Sequence, residues 1–402
     1  MTLSDENRWA AEPKKQRYLF LDNIKVLFAI LIIFWHVMVT YVDIGWWYYK
    51  ESNPTGPVSY VFLLLIASIG GIFQTSLLGL FFLLGGYFTP KSYDRKGGYR
   101  FWKERLLRLG VPLFLYILFI NPVMIYILSS LGVEPWSTNP VLQGSILNYY
   151  YNGFQSWSKF IDFISFGGPM WFLRVLLILT AVYTIWRQMT KIDFIKQRIP
   201  QELPIPRYFF LLLLAIVLGC LTFLVRIFLP VDDRPLEIPW GQLIQYLMMF
   251  GVGIISVRYR WFEKMSRRQV KVWLVTVFIC VMAVYLDFFL VLGIDADLAI
   301  FSGGANVHAL LFALVDNIVC MGVIFILIKV FYTKFNKQGP LLRNLSASAY
   351  HMYLVHPPIL VAISLSIAFI EFDPILKIGL VFPLAVCLCY LVSHYVTGKL
   401  HM

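Results

Sequence analysis

Charge is scarce in this chain. Only 14% of its 402 residues are Asp, Glu, Lys or Arg, while 59% are hydrophobic, and the mean hydropathy is +0.72. A typical soluble domain carries about 25% charged residues, so a water-soluble fold is excluded. Cysteine is sparse too. The five present, Cys220, Cys280, Cys320, Cys387 and Cys389, all fall within apolar segments. No loop offers a pair for an oxidising compartment and no metal-ligand spacing occurs, so neither disulfides nor a bound metal is expected. Also missing are a Ser-His-Asp order, a P-loop, a GxGxxG turn and an HExxH helix, which removes the common nucleotide and metallopeptidase fingerprints. No internal repeat, low-complexity tract or separate soluble domain is visible. The polar opening residues and the overlong first apolar run do not fit a cleavable signal, so that run is expected to stay as a span.

What the chain has instead is apolar runs longer than the roughly 18 residues that mark a spanning helix. About ten spans are expected, beginning near Tyr18, Pro57, Arg105, Pro169, Arg207, Ile238, Val272, Val307, Leu345 and Pro374. The fold class is therefore all-α, a polytopic membrane protein. The second stretch, from Pro57 to Phe88, is long for one straight helix, and Gly70-Gly71 and Gly85-Gly86 suggest a break or a strong tilt. Segments 1–17, 91–104, 187–207, 258–271 and 329–343 are rich in Lys and Arg, whereas the alternating loops are poor in them. That alternation places both termini in the cytoplasm. Residues 1–16 then form a cytoplasmic tail and 17–402 one transmembrane domain, with the lipid bilayer as its first partner. The net charge of +12 follows from this topology, since the basic residues are scattered over short loops. No nucleic-acid partner is expected.

The longest extracytoplasmic segment, 132–168, mixes Trp136, Tyr150, Tyr151 and Trp157 with Asn, Ser and Gln. Aromatic faces stack on sugar C–H faces and amides bond hydroxyls, so the mixture suits a carbohydrate. It also suits an interfacial aromatic belt.

Polar and ionisable groups within the spans are the candidates for chemistry. Lys25 and His36 are eleven residues apart, about three helical turns, so they share a face across a rise of roughly 16 Å. Asp22, three residues before Lys25, lies on that face as well. Lys25 would sit towards the cytoplasm and His36 deeper. Alternatively, Lys25 snorkels to the interface, His36 bonds a neighbouring helix and Asp22 complements the helix N-terminus. Arg105 and Arg108 lie three apart in "ERLLRLGVP", on one face at the cytoplasmic entrance to the third span. There they serve either as phosphate ligands or as topological anchors. Arg174 and His356 are further intramembrane candidates, and Arg226 is expected to pair with Asp287 or Asp316 between helices.

Taken together, these segments resemble the acyltransferase 3 family of membrane acyltransferases. Lys25-x10-His36 is similar to the family's (Arg/Lys)-x10-His signature in its first helix, and Arg105-Leu106-Leu107-Arg108 to its Arg-x-x-Arg motif. "FFLLGGYF", "MWFL" and "AYHMYLVH" follow in the family's order. One departure is Gly85, where many relatives have Ser before the second glycine. The resemblance implies transfer of an acetyl or succinyl group from cytoplasmic acyl-CoA to a hydroxyl of an extracytoplasmic polysaccharide or oligosaccharide, in a bacterial or archaeal cytoplasmic membrane. It implies His36 as the catalytic residue, with Lys25, Arg105 and Arg108 binding acyl-CoA. Asp22, Arg174 and His356 would support them, with no permanently bound cofactor and no metal. A proton-coupled transporter or glycan/lipid flippase, with His36, Asp287 and Asp316 as a proton relay, is the alternative.

Overall fold

The computed structural model describes residues 18–42, 45–51, 56–138, 145–190, 200–293 and 296–400. The tail at 1–16 and part of the 187–207 segment lie outside them. Among the described residues every regular element is helical. The main helices are α1 (Leu19–Val42), α2 (Pro57–Lys96), α3 (Gly98–Ser130), α4 (Ile146–Gly153), α5 (Trp157–Ser165), α6 (Trp171–Met189), α7 (Tyr208–Phe228), α8 (Trp240–Tyr259), α9 (Arg267–Leu286), α10 (Val307–Lys334), α11 (Pro340–Ser366) and α12 (Pro374–Leu400).

Nine helices among the described residues are long and apolar enough to cross a membrane, one fewer than the ten expected. The helix left out of that set is α11. It is long enough at 27 residues, but it carries Arg343, Asn344, two serines before His351, and then His356. Its polar content has a physical reason. α11 packs between α1 and α12, so Ser348, Tyr353 and His356 are buried against protein rather than lipid.

Of the break or strong tilt expected for α2, the break does not occur. Residues Pro57–Lys96 form one helix of 40 residues, unbroken at either glycine pair. The glycines serve contact instead. A Cβ on Gly86 would run into the backbone carbonyl of Phe250 on α8, and one on Gly253 into the Leu83 carbonyl and, at 2.8 Å, the Tyr87 nitrogen of α2. The two helices therefore meet backbone to backbone, a close approach that only small residues permit. Gly253→Ala is expected to destabilise the protein by about 1–3 kcal/mol, read as a lower midpoint of thermal unfolding in detergent. Gly85 differs, since its added Cβ would meet side chains alone, the tip of Leu176 at 2.7 Å and the Phe250 ring at 3.7 Å. The departure at Gly85 thus bears on packing between α2 and α6.

The basic segments converge on one end of the bundle. Asn23 donates to the carbonyls of Phe335 and Lys337 at 2.6 and 3.0 Å, Tyr18 to Glu263 at 3.0 Å, Gln269 to Pro206 at 3.2 Å, and Arg187 pairs with Asp94 at 3.0 Å. The opposite end gathers the aromatic and base-poor connections. There Trp136 donates to the Tyr48 carbonyl at 2.7 Å and Val231 to Ser302 at 2.9 Å. The 132–168 segment contains α4 and α5, each started by a serine whose hydroxyl accepts a backbone N–H of the first turn.

Candidate active site

The site begins with a sequence detail in α11, His356-Pro357. In an α-helix the Tyr353 carbonyl would accept the N–H of residue 357, but proline has none. The freed carbonyl is taken by His356 Nδ1 at 2.6 Å. A carbonyl only accepts, so neutral His356 carries its proton on Nδ1 and presents a lone pair at Nε2. That lone pair lies 3.2 Å from Nδ1 of His36 on α1. His36 Nδ1 is also 3.0 Å from the Ile32 carbonyl. Both neighbours accept, so neutral His36 is protonated at Nδ1 and keeps its lone pair on Nε2. His356 is fully buried, whereas His36 is only partly buried.

Aromatic rings hold the pair. The Trp47 indole stacks on His36 with centroids 4.1 Å apart and planes 29° apart. Trp47 comes from the 45–51 connection after α1, which folds back so that Trp47 and Tyr48 are buried. Tyr48 anchors the connection, its hydroxyl donating to Asn121 at 2.5 Å and lying 3.1 Å from that of Tyr116. Burial pushes the Tyr48 hydroxyl far above the ordinary tyrosine range, so it stays a neutral donor. Beside it, Trp46 is 40% exposed and meets Trp136 and Phe166 edge-on at 6.3 and 5.4 Å.

The expected basic cluster forms at the other end. Lys25 pairs with Asp22 at 2.9 Å and lies over the Phe88 ring at 4.6 Å. Arg105 donates to the Thr89 hydroxyl at 2.7 Å. Lys25 and Arg105 therefore meet consecutive residues of α2. Arg105 and Arg108 reach different partners. Leu106–Gly110 is a π-helical turn, and a wider turn rotates less per residue. Arg105 is directed to α2, while exposed Arg108 lies over Tyr350 of α11 at 5.4 Å. Here too a proline acts, because Pro112 leaves the Arg108 carbonyl without its helical donor and the Tyr350 hydroxyl takes it. Pro122 likewise leaves the Leu118 carbonyl to Tyr150.

The remaining candidates take other positions. Arg174 donates to the carbonyls of Ile164, Ser165 and Leu236, at 2.8, 2.8 and 2.7 Å, tying α6 to α5 and the 235–237 turn. Of the two partners expected for Arg226, it takes Asp316, at 2.6 Å with both side chains buried, and the Thr75 hydroxyl donates to the same carboxylate. Asp287 pairs with His308 at 2.8 Å. His36, Asp287 and Asp316 thus bond to separate partners. No group of three metal-capable side chains occurs among the described residues. Trp47, Tyr48, Thr89, Tyr350 and Tyr353 were not singled out from the sequence. The prolines at 112 and 357 were the available signal, each marking a carbonyl four residues earlier that needs a donor.

A histidine with an oriented lone pair, deep in an apolar helix bundle and joined along one helix to a basic mouth, is equipped for group transfer. The chain belongs to the acyltransferase 3 family, whose description is "acyltransferase domain" and which matches residues 18–394. It is a multi-pass membrane acyltransferase. Among individual proteins, it is similar to glucans biosynthesis protein C of Escherichia coli O6:K15:H31 (strain 536 / UPEC), at 23% identity over 178 residues. The matched stretch covers 42% of this chain and 39% of that relative. No solved structure matches the chain.

Proposed function

We propose that this protein moves an acetyl or succinyl group from cytoplasmic acyl-CoA to a hydroxyl of an extracytoplasmic glycan, in a bacterial or archaeal cell membrane with both termini cytoplasmic. The observation that carries the reading is the His36–His356 pair, which leaves Nε2 of His36 as a lone pair partway across the bundle. The phosphates of coenzyme A cannot enter hydrocarbon. They would remain at the basic mouth with Lys25, Arg105 and Arg108, and the uncharged pantetheine arm would carry the thioester along α1. The rise from Lys25 to His36 is roughly 16 Å at 1.5 Å per residue. The acceptor would enter from the aromatic end, where exposed Trp46 offers a face to a sugar ring. The similarity to a protein named for glucan biosynthesis supports a glycan acceptor.

The transfer is written as general-base catalysis. The acceptor hydroxyl gives its proton to His36 Nε2 as its oxygen attacks the thioester carbonyl carbon. The tetrahedral intermediate collapses, the C–S bond breaks, and the departing sulfur takes the proton from the imidazolium. The products are an O-acyl glycan and free CoA thiol, with the histidine restored. The same lone pair would also serve an acyl-imidazole route. Rapid quench with label in the acyl group separates the two, since the general-base route leaves no label on the protein.

Two experiments test the function. Purified protein should release CoA thiol from acetyl-CoA or succinyl-CoA faster when envelope glycan is added. Mass spectrometry of envelope glycans from cells with and without the protein should show the group added and its carrier. If CoA thioesters neither bind nor turn over while a proton gradient drives solute uptake, the transporter reading replaces this one. For the donor site, Arg105→Ala is expected to raise the KM for acyl-CoA about tenfold or more, the scale of one charged hydrogen bond, with kcat within about twofold. Unchanged affinity would remove Arg105 from the donor site.

A further inference from the structure

We propose that the indole N–H of Trp47 is the donor that stabilises the oxyanion of the tetrahedral intermediate formed at His36. The proposal rests on the acyl-transfer reading and adds the catalytic group that reading lacks. A general base accounts for the proton. Attack on a thioester also moves an electron pair onto the carbonyl oxygen, and in an apolar bundle that charge needs a fixed donor.

The observation is a buried polar atom without a partner. Trp47 is 3% exposed, and its Nε1 makes no hydrogen bond. Buried indole N–H groups ordinarily find an acceptor, and an unmet one costs about 1–3 kcal/mol. The surrounding groups are satisfied. Trp136 Nε1 donates to the Tyr48 carbonyl at 2.7 Å, the Tyr48 hydroxyl donates to Asn121, the Tyr353 hydroxyl donates to the Pro169 carbonyl at 2.6 Å, and His356 Nδ1 has the Tyr353 carbonyl. Beside these groups Trp47 keeps an open donor, and its ring lies against the base at 4.1 Å. An attacking oxygen that bonds His36 Nε2 lies about one hydrogen-bond length from the imidazole, and the carbonyl carbon one covalent bond farther. In the proposed arrangement the carbonyl oxygen lies at the edge of the ring stacked there.

The ring is also held in place. The Tyr48 hydroxyl bonds Asn121 and Tyr116, and Trp47 meets Tyr48 edge-on at 5.4 Å. The donor is therefore positioned before substrate arrives, the condition under which a single oxyanion contact has its greatest effect. During reaction the C–O bond forms, the carbonyl π pair moves to oxygen and is met by the Trp47 N–H, and the pair returns as the C–S bond breaks. The indole keeps its proton throughout.

The test separates the N–H from the ring. Trp47→Phe keeps an aromatic face against His36 and removes the donor together with the second ring. Expected is a fall in kcat of about 10²-fold, the scale of one lost oxyanion donor, with the KM for acyl-CoA within about twofold. Thermal stability should be unchanged or higher when benzothienylalanine replaces Trp47, because an unmet buried donor is gone and no cavity is left. A kcat within about fivefold of the wild type overturns the proposal and assigns Trp47 to packing alone. If the Phe variant fails to fold, benzothienylalanine in place of Trp47 gives the same reading, since it retains the bicyclic shape without the N–H. Wild-type protein that turns over no acyl-CoA would sink the parent reading. Wild-type turnover with an equally active Phe variant sinks this one alone.

Discussion

His36→Ala is expected to lower acyl transfer by about 10²–10⁴-fold, the range supplied by a positioned general base, while acyl-CoA still binds. The two readouts separate because the residues assigned to the CoA phosphates, Lys25, Arg105 and Arg108, have side-chain partners on Phe88, Thr89 and Tyr350, none of which touches His36. Folding is expected to survive. His36 is only partly buried, the Ile32 carbonyl retains the helical N–H of residue 36, and the one buried acceptor left without its donor, His356 Nε2, costs about 1–3 kcal/mol. The assay is CoA-thiol release in detergent or nanodiscs, with binding followed by thermal shift. A His36→Ala protein with wild-type turnover would move the chemistry elsewhere in the bundle.

His356→Phe is expected to cost on the order of 10³-fold in kcat through the tautomer of its partner, as happens when an orienting acceptor behind a catalytic histidine is lost. His356 is a positioning residue. Its Nε2 lone pair accepts from His36 Nδ1, which commits the other nitrogen of His36 to be the base. With phenylalanine there, only the Ile32 carbonyl remains to hold that proton, and the imidazole is freer to turn or to protonate at Nε2. Because a cavity or misfit in this fully buried position would also lower activity, the diagnostic is rescue. His356→Gln, whose amide oxygen can accept from His36, should recover at least about tenfold of the loss. Equal activity in the Phe and Gln variants would reduce His356 to a packing role.

The fold class was legible because apolar run length is a direct consequence of bilayer thickness, and the alternation of basic loops is matched by the convergence of those segments at one end. The exception shows where such counting stops. α11 failed the apolar criterion that its neighbours meet because its partners are helices and not lipid. The candidate site was partly legible. Lys25-x10-His36 could be placed on one face because helical spacing is fixed. The separate partners of Arg105 and Arg108 were not legible, since the π-helical turn at Leu106–Gly110 is set by local backbone. Asp22 proved to be Lys25's partner, and Arg174 a tie between backbone carbonyls. Trp47 was hidden for another reason. "GWWYYK" reads as a connection between spans, and nothing local to it indicates that the chain turns back to lay an indole on a histidine.

Three prolines, Pro112, Pro122 and Pro357, each release a carbonyl that a side chain then claims: Tyr350, Tyr150 and His356. The consequence is evolutionary. A proline that drifted to alanine would restore the helical N–H and evict its claimant, and a claimant lost first would strand a carbonyl in an apolar setting. Each proline and its claimant are thus expected to be inherited as a unit, so that relatives keep both or neither. His356 and Pro357 are the pair in which such joint loss would also silence the catalyst.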